Sequence, residues 1–299
     1  MNRKRMQNSS TPAKIGLIGL GKMGNPIAIR LLAAGYEVTA FDVDALAVAR
    51  LVSDGASEAK ETAEIAKSCD LIILMLPNST IVNAVVTDKH FLKILKPGSL
   101  IIDMSSSEPT STKALAASLL VREVHFVDAP VSGGVKGAVE GKLTIMVGGD
   151  DSDVDRIRPI LTNLGRVLHV GAVGSGHAIK AFNNLLSAAH LWATSEVISA
   201  GVRFGLDPKK MLEAFNGASG KSGSTENKWP NFILPGTYNS GFTLALMLKD
   251  MKIAVKLAAD SGTPLILGKE VADLWEKASL ELAPLADHTE VAKWIEENL

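Results

Sequence analysis

Up to Gly171 the chain alternates short apolar runs with stretches of helical periodicity. The runs are Ile15–Leu20 (IGLIGL), Val38–Asp42 (VTAFD), Leu71–Leu76 (LIILML), Leu100–Ser105 (LIIDMS), His125–Ser132 (HFVDAPVS), Thr144–Gly149 (TIMVGG) and Val167–Gly171 (VLHVG). IGLIGL and LIILML contain no polar side chain. Such runs suit strands of a parallel sheet that is covered on both faces. Between them, NPIAIRLLAAG and STKALAASLLVRE carry the spacing of amphipathic helices. The second follows Pro109, a residue that punctuates helix starts. Alternation on this scale predicts a doubly wound α/β domain over residues 14–173.

After Gly176 the strand-like runs stop. His177–Arg203 predicts one helix of about 27 residues, roughly 40 Å long at 1.5 Å per residue. PKKMLEAF, FTLALMLKDMKIAVKLAADSG, LILGKEVADLWEKA and HTEVAKWIEEN extend the helical pattern. Residues 174–299 are therefore expected to form an all-helical domain, joined to the first by the long helix. That helix carries more apolar faces than one small domain can cover. Leu185, Leu186, Leu191, Trp192, Val197 and Ile198 are expected to leave surface for a partner helix. Residues 1–13 are polar and basic, lack the apolar core of a signal peptide, and read as a disordered tail.

Composition narrows the function classes. The formal net charge is −1, which gives no reason to expect a nucleic-acid partner. No uninterrupted apolar run reaches the roughly 20 residues of a membrane helix, so no membrane association is expected. Cys69 is the only cysteine, which rules out an internal disulfide and suits a cytoplasmic location. Its place before LIILML reads as a small buried hydrophobe. No metal site is expected.

Chemistry enters with GLGKMG: Gly19, Leu20, Gly21, Lys22, Met23 and Gly24. The glycines follow a predicted strand and open a helix near Asn25 and Pro26. This is the setting of a dinucleotide-binding turn: one glycine for the tight turn, one for pyrophosphate approach, one for helix–strand packing. A second strand ends in Asp42, placed to accept hydrogen bonds from the adenosine ribose and to repel a 2′-phosphate. The next arginine is Arg50, so NAD is expected in preference to NADP.

Two later stretches bear on the reaction. In DAPVSGGVKGAVEGKLTIMVGG, Ser132, Gly133 and Gly134 form a turn with exposed backbone N–H groups, suited to a carboxylate or merely flexible. In GAVGSGHAIKAFNNLLSAA, Lys180 and Asn184 lie four apart on one helix face. A lysine and an asparagine there are either site residues or a snorkelling cation beside an amide that satisfies a core hydrogen bond.

Together with FTLALMLKD, these motifs occur in an order that resembles the β-hydroxyacid dehydrogenase family, typified by 3-hydroxyisobutyrate dehydrogenase. The resemblance covers about residues 14–290. It implies a Rossmann-type N-terminal domain, an all-helical C-terminal domain and at least a homodimer, often a homotetramer. It implies NAD-dependent oxidation of a small 3-hydroxy acid to its semialdehyde, with a small carboxylate as substrate. Lys180 matches the family's catalytic lysine, acting as general base and, in reverse, as general acid. Ser132, Gly133 and Gly134 match the loop that holds the substrate carboxylate, and Asn184 the substrate-positioning amide. Asp250 would complete the site and Phe242 would wall the pocket. Leu76, Pro77, Ser106 and Lys249 match residues that contact the cofactor. An NADPH-dependent reductase of short aldehyde acids is the alternative, with Asp42 against it. The segment Gly217–Pro230 departs from the family pattern, and within it Lys221, Ser222 and Ser224 are candidates to read a polar or anionic substrate tail.

Overall fold

In a computed structural model, residues 14–298 are described. The expectation of a disordered tail falls on residues outside them. Two compact units emerge. One runs up to Ser107 and resumes over Ser111–Val173; the other comprises Glu108–Thr110 and the chain from Gly174 onward.

The first unit is built on a nine-stranded sheet. Its strands are β1 (Lys14–Ile18), β2 (Glu37–Phe41), β3 (Ser57–Glu58), β4 (Leu71–Leu74), β5 (Leu100–Asp103), β6 (His125–Asp128), β7 (Val131–Ser132), β8 (Leu143–Gly148) and β9 (Gly165–Gly171). Its helices are α1 (Gly24–Ala33), α2 (Ala45–Ser53), α3 (Thr62–Ser68), α4 (Ser79–Val86), α5 (Lys89–Ile94), α6 (Pro109–Leu120), α7 (Gly134–Glu140) and α8 (Asp151–Leu161). The order β3-β2-β1-β4-β5-β6 is fully parallel, the doubly wound arrangement of a Rossmann domain. The lack of polar positions in LIIL has a direct cause. Leu71 and Ile73 face one core layer, while Ile72 and Leu74 face the other. Cys69 is fully buried in the second layer.

The sheet departs from the all-parallel expectation at one end. β8 runs antiparallel to β6 and β7, and β9 then pairs with β8 in parallel. The predicted run His125–Ser132 breaks into β6 and β7 at Ala129 and Pro130, because proline cannot donate to the ladder. The two-residue strand β3 has no apolar run to announce it.

The second unit is helical: α9 (Ser175–Phe204), α10 (Pro208–Asn216), a π-helix (Ser224–Ile233), α11 (Leu244–Asp260), α12 (Ile266–Glu281), a short 3₁₀ turn (His288–Glu290) and α13 (Val291–Asn298). α9 is 30 residues long, three more than its periodicity suggested, and both its caps are left-handed glycines, Gly174 and Gly205. Trp192 on α9 lies 6.5 Å from Trp275 and 5.9 Å from Trp294, so three indoles join α9, α12 and α13. This corrects the expectation for α9. Leu185, Leu191, Trp192 and Ile198 are buried by the unit's own helices, and only Leu186 and Val197 of the six remain exposed.

Candidate active site

The first unit carries the dinucleotide turn at the carboxyl end of β1, beside the end of β4, where the strand order reverses. That is where ligands bind in open α/β sheets. The glycines differ in what a side chain would meet. At Gly19, with φ +100°, a Cβ would run into the Met75 carbonyl oxygen. At Gly24 a Cβ would fall on the Gly19 carbonyl oxygen. Both glycines hold the turn together. At Gly21 a Cβ would meet nothing within 4 Å, so this backbone stands open to an approaching pyrophosphate. The residues present therefore fit a dinucleotide. Lys22 is exposed and Met23 half-buried beside the same opening.

Asp42 follows β2. Its carboxylate accepts from the Leu20 N–H at 2.5 Å and from the Asp44 N–H at 2.8 Å. Two backbone N–H groups thus fix the acid against the glycine turn, and each oxygen retains acceptor capacity. The Leu76 N–H donates to Ser105 Oγ at 2.9 Å, which ties the loop after β4 to the loop after β5. Pro77 is exposed and Ser106 half-buried in those loops. Beneath Ser106, buried Asp103 accepts from the Ser105 N–H at 2.9 Å and from Ser107 Oγ at 2.8 Å. Sequence reasoning singled out Ser106 and missed this supporting acid. A buried aspartate ending an apolar strand before three serines was the available signal. Ser132 closes β7, and Gly133 and Gly134 adopt φ of +125° and +63°. Ser132 is half-buried, and both glycines are exposed.

The second unit gathers the titratable groups. Lys180 and Asn184 share a face of α9. Asp250, fully buried on α11, accepts from Asn184 Nδ2 at 2.6 Å and pairs with Lys249 Nζ at 3.1 Å. The carboxylate has no exposed surface; it holds the Asn184 amide and lies among the lysines. Lys180 is half-buried. Burial pushes its ammonium below the ordinary lysine range, the Asp250 carboxylate opposes the shift, and Lys249 adds to it. Phe242 is half-buried and packs edge-on against His288 at 5.7 Å.

Gly217–Pro230 is not the loop its polarity implies. Part of it forms the π-helix. Lys221 pairs with Glu226 at 2.7 Å, the Ser222 hydroxyl accepts from the Ser224 and Thr225 N–H groups, and Ser224 is buried. These three take part in the local fold of the segment. Lys228, in the same segment, donates through Nζ to Ser187 Oγ on α9 at 2.8 Å. Burial and the nearby charge of Lys180 lower its pKa to about 8, and Asp287 opposes the shift. Nothing in the local sequence distinguishes Lys228 from a solvated lysine, because the signal is the tertiary contact.

Family profiles match both units. The NAD binding domain of 6-phosphogluconate dehydrogenase matches residues 14–174, and the NAD-binding domain of NADP-dependent 3-hydroxyisobutyrate dehydrogenase matches residues 174–295. The chain belongs to the β-hydroxyacid dehydrogenase family. Among its relatives is 2-(hydroxymethyl)glutarate dehydrogenase of Eubacterium barkeri, 39% identical over 88% of this chain and 88% of that protein. NAD-dependent L-serine dehydrogenase of Pseudomonas aeruginosa is 37% identical over 88% of this chain and 91% of that one. The structure of Mycobacterium tuberculosis 3-hydroxyisobutyrate dehydrogenase with L-serine superposes with a TM-score of 0.89 at 31% identity, covering 95% of this chain and 99% of that one. As a member of the β-hydroxyacid dehydrogenases, the chain is an oxidoreductase acting on CH–OH groups with NAD as cofactor. Among the described residues, no helix is long and apolar enough to cross a membrane.

Proposed function

We propose that this β-hydroxyacid dehydrogenase oxidises a small 3-hydroxy acid to its semialdehyde, with Lys180 as the proton acceptor. The observation that carries the reading is the environment of Lys180: a half-buried lysine whose pKa is depressed by burial, on the same helix face as an amide held by a buried carboxylate. A lysine at its ordinary pKa of about 10.4 is a poor base near neutral pH, and depression makes the neutral amine accessible. Bound NAD supplies the hydride acceptor. Lys180 Nζ takes the hydroxyl proton as the carbon is oxidised, and returns it to the carbonyl oxygen in reverse. Asn184, fixed by Asp250, retains one amide hydrogen and one acceptor site with which to orient the substrate oxygen. Ser132, Gly133 and Gly134 hold the substrate carboxylate, a role that rests on the resemblance of DAPVSGG to the family loop. Gly19, Gly21, Gly24, Asp42, Leu76, Pro77, Ser106 and Lys249 serve the cofactor.

The named substrates of the relatives support the class. 2-(Hydroxymethyl)glutarate, 3-hydroxyisobutyrate and L-serine each place a primary alcohol one carbon from the carbon bearing a carboxylate. NADH formation with these acids, measured with NAD and NADP side by side, tests the reading. Turnover with NAD is expected. Lys180→Met is expected to lower kcat by about 10³-fold or more while NADH binding, followed by fluorescence, stays within about 2-fold. Near-normal turnover in that variant would remove Lys180 from the mechanism. A family profile described as NADP-dependent keeps reduction of short aldehyde acids with NADPH as a second reading, and strong preference for NADPH in the same assay would select it. We also propose a homodimer or homotetramer. Leu186, Val197 and Phe204 stay exposed on α9, and sedimentation as a monomer at assay concentrations would overturn this.

A further inference from the structure

Ser187 lies seven positions beyond Lys180 and three beyond Asn184, so the three side chains share one face of α9. Lys228 reaches that face from the π-helix and donates to Ser187 Oγ at 2.8 Å. The π-helix is anchored on both sides of it. Ser224, Thr225 and Trp229 are buried, and Asn216 Nδ2 donates to the Thr225 carbonyl at 3.1 Å. Lys228 is therefore held at the site and does not trail in solvent.

Its charge is poorly answered. Among the described residues, a hydroxyl is the one hydrogen-bond partner of this half-buried ammonium, and no carboxylate lies within ion-pairing distance. Asp287 is the acid whose field reaches it, but its oxygens are engaged. They accept from the Ser240 hydroxyl at 2.8 Å, the Gly241 N–H at 2.9 Å, and both the N–H and the hydroxyl of Thr289 at 3.0 and 2.6 Å. The other charges facing Lys228 are unfavourable or absent. Lys180 repels it, and His288 is held neutral by burial. A partly desolvated ammonium with donor hydrogens to spare and no acid to pair with is a receptor for an anion.

We propose that Lys228 is a specificity-determining residue that receives a second anionic group at the end of the substrate remote from the reacting hydroxyl, so that hydroxymethyl dicarboxylates are preferred to hydroxymethyl monocarboxylates. The inference rests on Lys180 being the base, because that assignment puts the reacting carbon at the other end of the shared helix face.

The test compares kcat/KM for 2-(hydroxymethyl)glutarate and 3-hydroxyisobutyrate with NAD in the wild-type protein, Lys228→Met and Lys228→Arg. In Lys228→Met, kcat/KM for the dicarboxylate is expected to fall about 100-fold, mainly through KM, and that for the monocarboxylate less than about 3-fold. Lys228→Arg is expected to restore most of the loss. Equal losses on both acids, or a raised KM for NAD in place of the acid, would overturn the proposal. A measurement on the wild-type protein needs no folded variant. The ratio of the two kcat/KM values is expected to fall as pH rises from 7 to 9, because Lys228 loses its charge near pH 8, and a flat ratio counts against the idea. Wild-type turnover of the monocarboxylate alone, abolished in Lys180→Met, would sink the Lys228 proposal and leave the dehydrogenase reading standing. Turnover of neither acid would sink both.

Discussion

Gly19, Gly21 and Gly24 belong to one motif but answer to different constraints, and substitution separates them. Gly24→Ala drives a Cβ into the Gly19 carbonyl, so a cost of about 2 kcal/mol or more is expected, read as a melting temperature lower by roughly 5 °C. Gly21→Ala meets open space. Its melting temperature is expected to stay within about 1 °C while KM for NAD rises roughly 10-fold or more, since the methyl group occupies the pyrophosphate's approach. If both variants lose stability alike, the division of roles is wrong. Asp42 is a third residue-scale case. Asp42→Ser removes the charge that repels a 2′-phosphate, and the NAD-to-NADP ratio of kcat/KM is expected to fall at least about 10-fold. Chain-local rules were enough to single out the glycines, Asp42, and Lys180 with Asn184. Lys228 and His288 were not legible that way, because each owes its character to partners 40 or more residues away.

At the scale of elements, periodicity located α9, α10, α11, α12 and α13 and seven runs that contain strands. It failed where an element lacks an apolar signature. β3 is two exposed residues, and the β6–β7 break was hidden inside one apolar run. The π-helix has no signature along the chain, because its buried positions, Ser224, Thr225, Trp229 and Ile233, match neither strand nor α-helix spacing. The turn at Asp287 shows what holds these helices in place. Asp287 accepts from the Thr289 N–H while its own N–H donates to Glu290 Oε1 at 2.9 Å, a capping box that also ties down Ser240 and Gly241. Asp287→Ala is expected to cost about 2–3 kcal/mol, more than a single lost cap, because several donors lose their acceptor together. A change below about 0.5 kcal/mol in denaturant melts would show that the turn holds without it.

For the whole molecule, acid stability is the property that burial sets. His288 is pushed down to about 3 by burial and by the charge of Lys228, with Asp287 and the Phe242 carbonyl opposing. Its folded pKa lies below the unfolded value of about 6.5, so the unfolded chain takes the proton first as the pH falls. The contribution is complete above about pH 6.5 and is lost progressively toward pH 3. Urea melts between pH 7 and 4 are expected to show stability falling with pH, with a shallower slope in His288→Asn. Equal slopes would assign the acid sensitivity to other groups.

The sequence by itself determined the class of fold, the dinucleotide turn with its acid, and the family, because each depends on the order of apolar positions and on motifs a few residues long. The tertiary structure decided which face of α9 is covered, how the sheet turns antiparallel beyond β6, that Asp250 is buried against the Asn184 amide, and that Lys228 stands beside Ser187. Those facts follow from what packs against what. Desolvation, and with it the charge state of a lysine or histidine, is a property of the surroundings, which no local pattern along the chain encodes.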